Sequence, residues 1–154
     1  MSSVLEASIA ALVTALNTGR PVAVPVIERD RWIDVQAGPT AAPVIALTGW
    51  EDEPEPGQNA DRVMDQRRAR LNFEIYGTAV SPLTASQVID ESVQWIGSKC
   101  GPVDANSGGL ATAGAIRLTL EKKVAVIGKG SACRCLVEVA LDYRNITNDL
   151  TRAR

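Results

Sequence analysis

The chain has 154 residues, of which 45% are hydrophobic and 22% charged, and its formal net charge is −2. These values are typical of a globular protein, so we expect residues 1–154 to form a single domain. A net charge near zero argues against a dedicated nucleic-acid binder, and the lack of a long apolar run argues against a membrane span or a secretory signal.

The composition also limits the chemistry that the chain can carry. The sequence contains no histidine, which excludes Ser-His-Asp and Cys-His nucleophiles and histidine-based metal sites. Cys100, Cys133 and Cys135 are odd in number, and their spacing resembles no structural zinc site, so we expect free thiols packed as small hydrophobic groups. The sequence therefore predicts no catalytic residue, no cofactor and no metal.

The first segment of the chain predicts a helix. Apolar side chains recur at helical spacing through SSVLEASIAALVTALNTG, residues 2–19. Ser3 and Glu6 form a capping-box pattern at its start, and Gly19 suits the left-handed position after its last turn. From residue 20 to residue 49, short β-prone pieces alternate with prolines that favour sheet edges or strand starts.

An acidic segment follows at residues 51–61, EDEPEPGQNAD. It has no large apolar residue to bury, so we expect a mobile acidic loop. Its carboxylates lack the spacing of a calcium-binding loop. We therefore regard Glu51, Asp52, Glu53 and Glu55 as candidate interface residues rather than metal ligands.

The segment RRARLNFEIYG, residues 67–77, alternates between apolar and polar side chains and predicts a strand with one buried face. Arg62, Arg67, Arg68 and Arg70 form the only basic cluster of the sequence, and Glu74 shares the polar face with Arg68 and Arg70. This face is either solvated or a subunit interface, since arginine is favoured at interfaces. If Arg68 and Arg70 are exposed, their reversal to Glu should leave folding intact while impairing assembly.

A second helix, a loop and a long hairpin complete the chain. Ser81 is a candidate helix cap with Pro82 at the first position, apolar residues between 83 and 96 form one face, and Gly101 with Pro102 should end the helix. Residues 102–114 predict a loop. Two alternating runs then follow on either side of GKGS, which suits a hairpin turn, and residues 145–154 predict a C-terminal tail.

These elements predict an α+β fold. The apolar stripes of two helices need a surface to cover, and one face of a mainly antiparallel sheet supplies it, which gives a two-layer sandwich. The other face of the sheet then carries the polar residues of the strands, namely Arg68, Arg70, Glu74, Arg117, Thr119, Glu121, Arg134, Glu138 and Asp142.

The order of the elements resembles the tail terminator, or tail completion, proteins of long-tailed bacteriophages. The resemblance covers residues 4–146 and lies in the N-terminal helix, APVIALTGW, the acidic loop, RLNFEIYG, the helix TASQVIDESVQWI, and the closing CLVEVALDYRN. It depends on element order and strand ends such as Ile75-Tyr76-Gly77 rather than on a catalytic motif.

The resemblance implies a structural, non-enzymatic virion protein. Such proteins form a homohexameric ring on the head-proximal end of the tail tube, stop tube polymerisation and join the tail to the neck or connector. The implied partners are copies of the chain, the tail tube protein and a head-tail connector or neck protein. DNA would pass through the lumen without specific binding, no membrane is involved, and assembly would take place in the host cytoplasm.

Two alternatives remain open from the sequence. The chain could be another neck or minor tail protein of the virion. It could also be a small enzyme or ligand-binding module that uses carboxylates such as Asp90 or Glu91, which would require a deep pocket with several polar groups.

Overall fold

In the computed structural model, the described part of the chain comprises residues 3–29, 43–54, 64–78, 83–126 and 132–146. Six strands and three helices lie in these ranges. In chain order they are α1 (Val4–Asn17), β1 (Ile27–Arg29), β2 (Val44–Pro54), β3 (Met64–Thr78), α2 (Ala85–Ser98), β4 (Gly101–Pro102), α3 (Gly109–Ala113), β5 (Ala115–Val126) and β6 (Ala132–Ile146).

The strands form one sheet in the order β1-β2-β3-β6-β5-β4. Every pair is antiparallel except β1 with β2, which is parallel. The central pair, β3 with β6, runs without a register shift from Met64 opposite Ile146 to Thr78 opposite Ala132. The predicted α+β class and the mainly antiparallel sheet are therefore confirmed.

One face of the sheet, which we call the inner face, packs against the helices. The odd-numbered residues of β3 from Ala69 to Ile75 are buried on this face. Each lies opposite a buried residue of β6 between Cys135 and Leu141. The buried faces of α1 and α2 complete the same core. The helical residues in this core are Val4, Ile9, Leu12 and Leu16 of α1, Ile89 and Ile96 of α2, and Leu110 of α3.

Helix α1 begins and ends as its sequence predicts. The Ser3 hydroxyl accepts a hydrogen bond from the Glu6 backbone N–H at 3.1 Å, and Gly19 has a φ of +67°, which glycine adopts without steric cost. The Glu6 carboxylate, however, does not close the capping box on Ser3 in the described contacts. It instead accepts two hydrogen bonds from Arg29 of β1, at 2.6 and 3.1 Å, and so ties α1 to the edge of the sheet.

Helix α2 starts later than its sequence suggests. Thr84, rather than Ser81, caps the helix, because Thr84 accepts a hydrogen bond from the Gln87 backbone at 3.3 Å while Gln87 accepts one from the Thr84 backbone at 2.8 Å. This reciprocal capping box satisfies two backbone N–H groups at the observed start of the helix. The helix ends at Ser98, before the predicted stop, and Gly101 and Pro102 form β4 instead.

Three further expectations are corrected. Residues 51–54 belong to β2 and not to a loop, because they pair with residues 67–70 of β3. The predicted loop at 102–114 contains α3, and β6 extends into the predicted tail as far as Ile146. Residues 55–61 and 147–154, as well as the predicted GKGS turn, lie outside the described residues.

Candidate functional site: the outer sheet face and its edges

The polar side chains of β3 lie on the face of the sheet opposite the helices, which we call the outer face. Its exposure varies along the strand. Arg68 and Arg70 are half-buried and Asn72 is exposed, whereas Glu74 and Tyr76 are buried. The open part of the outer face is therefore the part that carries the two arginines, and the expectation of an open face along the whole strand is wrong.

Arg68 is paired across the central strands of the sheet. It lies directly opposite Asp142 of β6, and its guanidinium donates to that carboxylate at 2.7 and 3.2 Å. The Asp142 side chain is only 6% exposed. This two-point geometry is the strong form of an arginine-carboxylate pair, so Arg68 is held by the fold itself.

Arg70 is surrounded by carboxylates from three strands. It pairs with Glu53 of β2 and with Glu121 of β5 at 3.1 Å, and Glu138 of β6 lies 3.9 Å away. Glu121 also approaches Arg68 at 4.0 Å. We call this set the outer network, and its members are Arg68, Arg70, Glu53, Glu121, Glu138 and Asp142.

The outer network has more carboxylates than arginines, two guanidiniums against four acidic groups. On the same face, the exposed Arg117 and Lys122 lie opposite Asp142 and Glu138. The described part of the outer face therefore carries charges of both signs and no large basic patch that would attract a phosphate backbone. The expectation of two exposed arginines available to a partner is corrected, because both are already engaged within the chain.

Glu74, the remaining candidate on this face, forms a separate pair with Arg134 of β6. Between this pair and the outer network lies a shallow cavity of about 300 Å³. Leu136, which is 40% exposed, is its main apolar wall. The polar walls are Thr48, Asn72, Lys122 and Glu138.

The candidates Arg67 and Asp52 lie on the other side of the sheet. Arg67 is opposite Tyr143 in the register, and its Nε lies 3.3 Å from both carboxylate oxygens of Asp52. The Tyr143 hydroxyl donates to Asp52 at 2.8 Å. Burial, together with the hydrogen bond to this carboxylate, raises the pKa of Tyr143 above its ordinary value. The sequence pattern did not predict this cluster, because Asp52 was expected in a loop.

The structure thus divides the predicted interface residues into three groups. Arg68, Arg70 and Glu53 belong to the outer network, and Glu74 is paired nearby. Arg67 and Asp52 face the helix side. Glu51 is exposed on the outer face opposite Arg70, and Glu55 lies outside the described residues.

Both margins of the sheet are covered over only part of their length. On one side β1 pairs with residues 45–47 of β2, so within the described ranges residues 48–54 have no strand beyond them. On the other side β4 pairs with residues 117–118 of β5, and residues 119–126 are likewise open in the part that the structure describes. An open edge presents backbone N–H and C=O groups to a further strand.

A wider groove of about 750 Å³ lies on the helix side between α1, the end of α2 and α3. Cys100 lines it, and burial raises the pKa of this thiol. Its sulfhydryl donates to the Ile96 carbonyl at 3.4 Å. All three cysteines are free thiols, as predicted, and Cys135 is fully buried.

Asp90 and Glu91, the carboxylates of the enzyme alternative, are exposed on α2. They line neither the cavity on the outer face nor the groove on the helix side. Among the described helices, none has the length and apolar character needed to cross a membrane.

Comparison with known proteins gives limited results. No protein-family model matches the chain, and no curated protein matches its sequence. Among solved structures, it is similar to a chain of the virion of a native gene transfer agent particle, with 12% identity and a TM-score of 0.48 over 93% of this chain and 92% of the other. A match of this identity and score carries no information about the function of the present chain.

Proposed function

We propose that this chain is a structural virion protein that forms a ring at the head-proximal end of a phage tail. In this role it would cap the tail tube, stop its polymerisation and connect the tail to the neck or connector. The proposal has its origin in the sequence resemblance to tail terminator proteins. The fold supports it with a feature of its own: among the described residues, part of each margin of the sheet has no neighbouring strand.

The open margins are the observation that carries the proposal. They lie at opposite sides of one sheet, on β2 and on β5. A contact between two different surfaces of identical subunits is heterologous, and when its rotation closes, the product is a ring. The homohexamer is the ring size that the resemblance implies.

The charge of the outer face is compatible with the proposed path of DNA. If the outer face lines the lumen, both arginines of the outer network are held by carboxylates of the same chain and are not free to bind a phosphate backbone. The exposed Arg117 and Lys122 lie opposite Asp142 and Glu138, so the described part of the face offers no large basic patch to hold DNA.

Electron microscopy of the purified protein, combined with light scattering, tests the proposal. We expect ring-shaped particles with a mass near six times the 16.4 kDa of one chain. If the ring forms only on the tail tube, the same particles should appear at the ends of tubes when the tail tube protein is added, and the tubes should stop growing. A chain that stays monomeric alone and never binds tube ends would contradict the proposal.

The same experiment separates the alternative of another neck or minor tail protein. Such a protein would enter particles without ending tube growth. Tube length is therefore the decisive measurement, with an equal concentration of an unrelated small acidic protein as the control.

A further inference from the structure

The two open edges of the sheet differ in charge. On β2 the open residues include Glu51, Asp52 and Glu53, all exposed. On β5 they include Lys122, which is exposed and forms no ion pair with any described residue, and Lys123 follows it in the sequence. One edge is therefore acidic and the other carries basic residues beside Glu121.

Like edges are poorly suited to pair with each other. Two copies that join β2 to β2 would bring their acidic residues together, and two that join β5 to β5 would bring their lysines together. Like charges directly opposite across strands are destabilising. Pairing of the β2 edge with the β5 edge instead brings opposite charges together.

The strand directions permit this pairing in a ring. Successive antiparallel pairs make β2 and β6 run one way and β3 and β5 the other. A rotation about an axis along the strands preserves their direction in every copy. The β5 edge of one copy would therefore meet the β2 edge of the next as an antiparallel neighbour, with hydrogen bonds perpendicular to the strands.

Two exposed residues can form an ion pair across this contact. Glu51 lies opposite Arg70, and Lys122 lies opposite Glu138, which places both on the outer face of the sheet. Neither has an ion-pair partner among the described residues of its own chain. This differs from Glu53 and Glu121, which are held by Arg70.

We propose that copies of this chain join through antiparallel pairing of the open β2 edge, residues 48–54, with the open β5 edge of the next copy, residues 119–126, and that Glu51 and Lys122 form an ion pair across the joint. This inference rests on the proposed ring and specifies its contact. The edge charges favour this arrangement over a closed dimer, because opposite signs meet only when the two edges differ.

A charge exchange tests the contact. The variants are Glu51→Lys, Lys122→Glu and the double variant that carries both changes. Each single change places like charges across the joint and should raise the dissociation constant for self-association about 5- to 20-fold, whereas the double variant should return to within about threefold of the unchanged protein. Glu91→Lys, at an exposed position of α2 and with the same change of charge as Glu51→Lys, is the matched surface control and should have no effect.

Light scattering over a concentration series gives these constants, and circular dichroism checks that each variant is folded. Restored association in the double variant supports the inference. Rings that form equally well in all variants would overturn the edge contact while leaving the ring itself in place. A chain that shows no self-association, alone or with the tube protein, would overturn both.

Cross-linking gives a second, independent test. The double variant Glu51→Cys/Lys122→Cys should form a ladder of disulfide-linked species on a non-reducing gel, since Cβ atoms of paired residues come close enough to bridge. Each single variant should give at most a dimer. A double variant with no more cross-linking than the single ones would contradict the contact.

Discussion

Asp142 and Arg68 lie directly opposite each other on the two central strands, and the guanidinium of Arg68 donates two hydrogen bonds to the Asp142 carboxylate at 2.7 and 3.2 Å. The carboxylate is almost fully buried, and the arginine side chain is 24% exposed. The pair joins residues that are 74 positions apart in the sequence. It therefore favours the observed register of β3 and β6, and it neutralises Arg68 within the chain.

Replacement of Asp142 by Ala should destabilise the fold by about 1–3 kcal/mol. The reason is that Arg68 loses the carboxylate that accepts both of its short hydrogen bonds, while Glu121 is more distant, at 4.0 Å, and a half-buried guanidinium without its main partner is costly, though less so than a fully buried one. Urea unfolding at neutral pH measures the change. The matched control is Glu91→Ala, which removes an exposed carboxylate of α2 and should stay within about 0.5 kcal/mol of the unchanged protein. Equal stability of the two variants would contradict the structural role of the pair.

The pair of Arg68 and Asp142 also changes the expectation that reversal of Arg68 to Glu leaves folding intact. Arg68→Glu would place a second carboxylate against Asp142, so we expect loss of stability by about 2 kcal/mol or more and not a neutral surface change. A defect in assembly of this variant would then report on folding. For this reason Glu51 and Lys122, which are exposed and outside the outer network, are the residues to change in tests of assembly.

Gly77 is a second position where the structure makes a sharp prediction. A Cβ atom there would lie 2.8 Å from the Ala85 carbonyl oxygen and 2.8 Å from Cγ1 of Ile89, both in α2. Because one of these atoms is backbone, the helix would have to move, and Gly77→Ala should cost about 1–3 kcal/mol. Thermal unfolding measures it. Gly49→Ala is the control, since nothing lies within 4 Å of its Cβ position. The thermal unfolding midpoint of Gly77→Ala should be clearly lower than that of Gly49→Ala.

Tyr143→Phe removes the hydroxyl that donates to Asp52 at 2.8 Å. We expect a loss of about 0.5–1.5 kcal/mol near pH 8, because Asp52 keeps Arg67 as a partner. The folded-state pKa of Tyr143 is raised above its ordinary value of 10.0, so its contribution is complete below that pH and declines as the pH rises. Urea unfolding at pH 8 and at about pH 11 should show a steeper fall for the unchanged protein than for Tyr143→Phe. An equal loss of stability between the two pH values in both proteins would contradict the raised pKa of Tyr143.

The pair of Glu6 and Arg29 gives a prediction at acidic pH. The hydrogen bond from Arg29 lowers the pKa of the Glu6 carboxyl below its ordinary value of 4.5. A lowered folded-state pKa adds stability above pH 4.5, and this contribution is lost as the pH falls through the folded-state value. Glu6→Gln should therefore be less stable at pH 7, by no more than about 1 kcal/mol because the pair is partly exposed. The difference should shrink as the pH falls below 4.5, and a difference that does not change with pH would contradict the ion pair.

Much of the fold follows from sequence periodicity, and the exceptions have a common cause. The helical stripe of α1, the alternation of β3 and the hairpin of β5 and β6 are local patterns, and each is confirmed by burial. Glu51, Asp52 and Glu53 looked like a loop because they bury no apolar surface. Residues of β3, namely Arg68, Ala69 and Arg70, lie opposite them and support the strand. That support comes from strand register, which one sequence does not reveal.

The candidate site shows the same limit. Alternation correctly grouped Arg68, Glu121, Glu138 and Asp142 on one face, but it could not say which groups would pair. It placed Arg67 on the opposite face from Arg68, but it did not indicate that Arg67 would meet Asp52 and Tyr143 there. Only the alternating pleat and the register together assign each charge to a partner.

The most direct test of the ring is the mass of the unchanged protein in solution, with the tail tube protein added if needed. Light scattering should give a discrete species near six times 16.4 kDa, and microscopy should show it as a closed ring. A single species of 16.4 kDa at every concentration, which also fails to bind tube ends, would contradict the account.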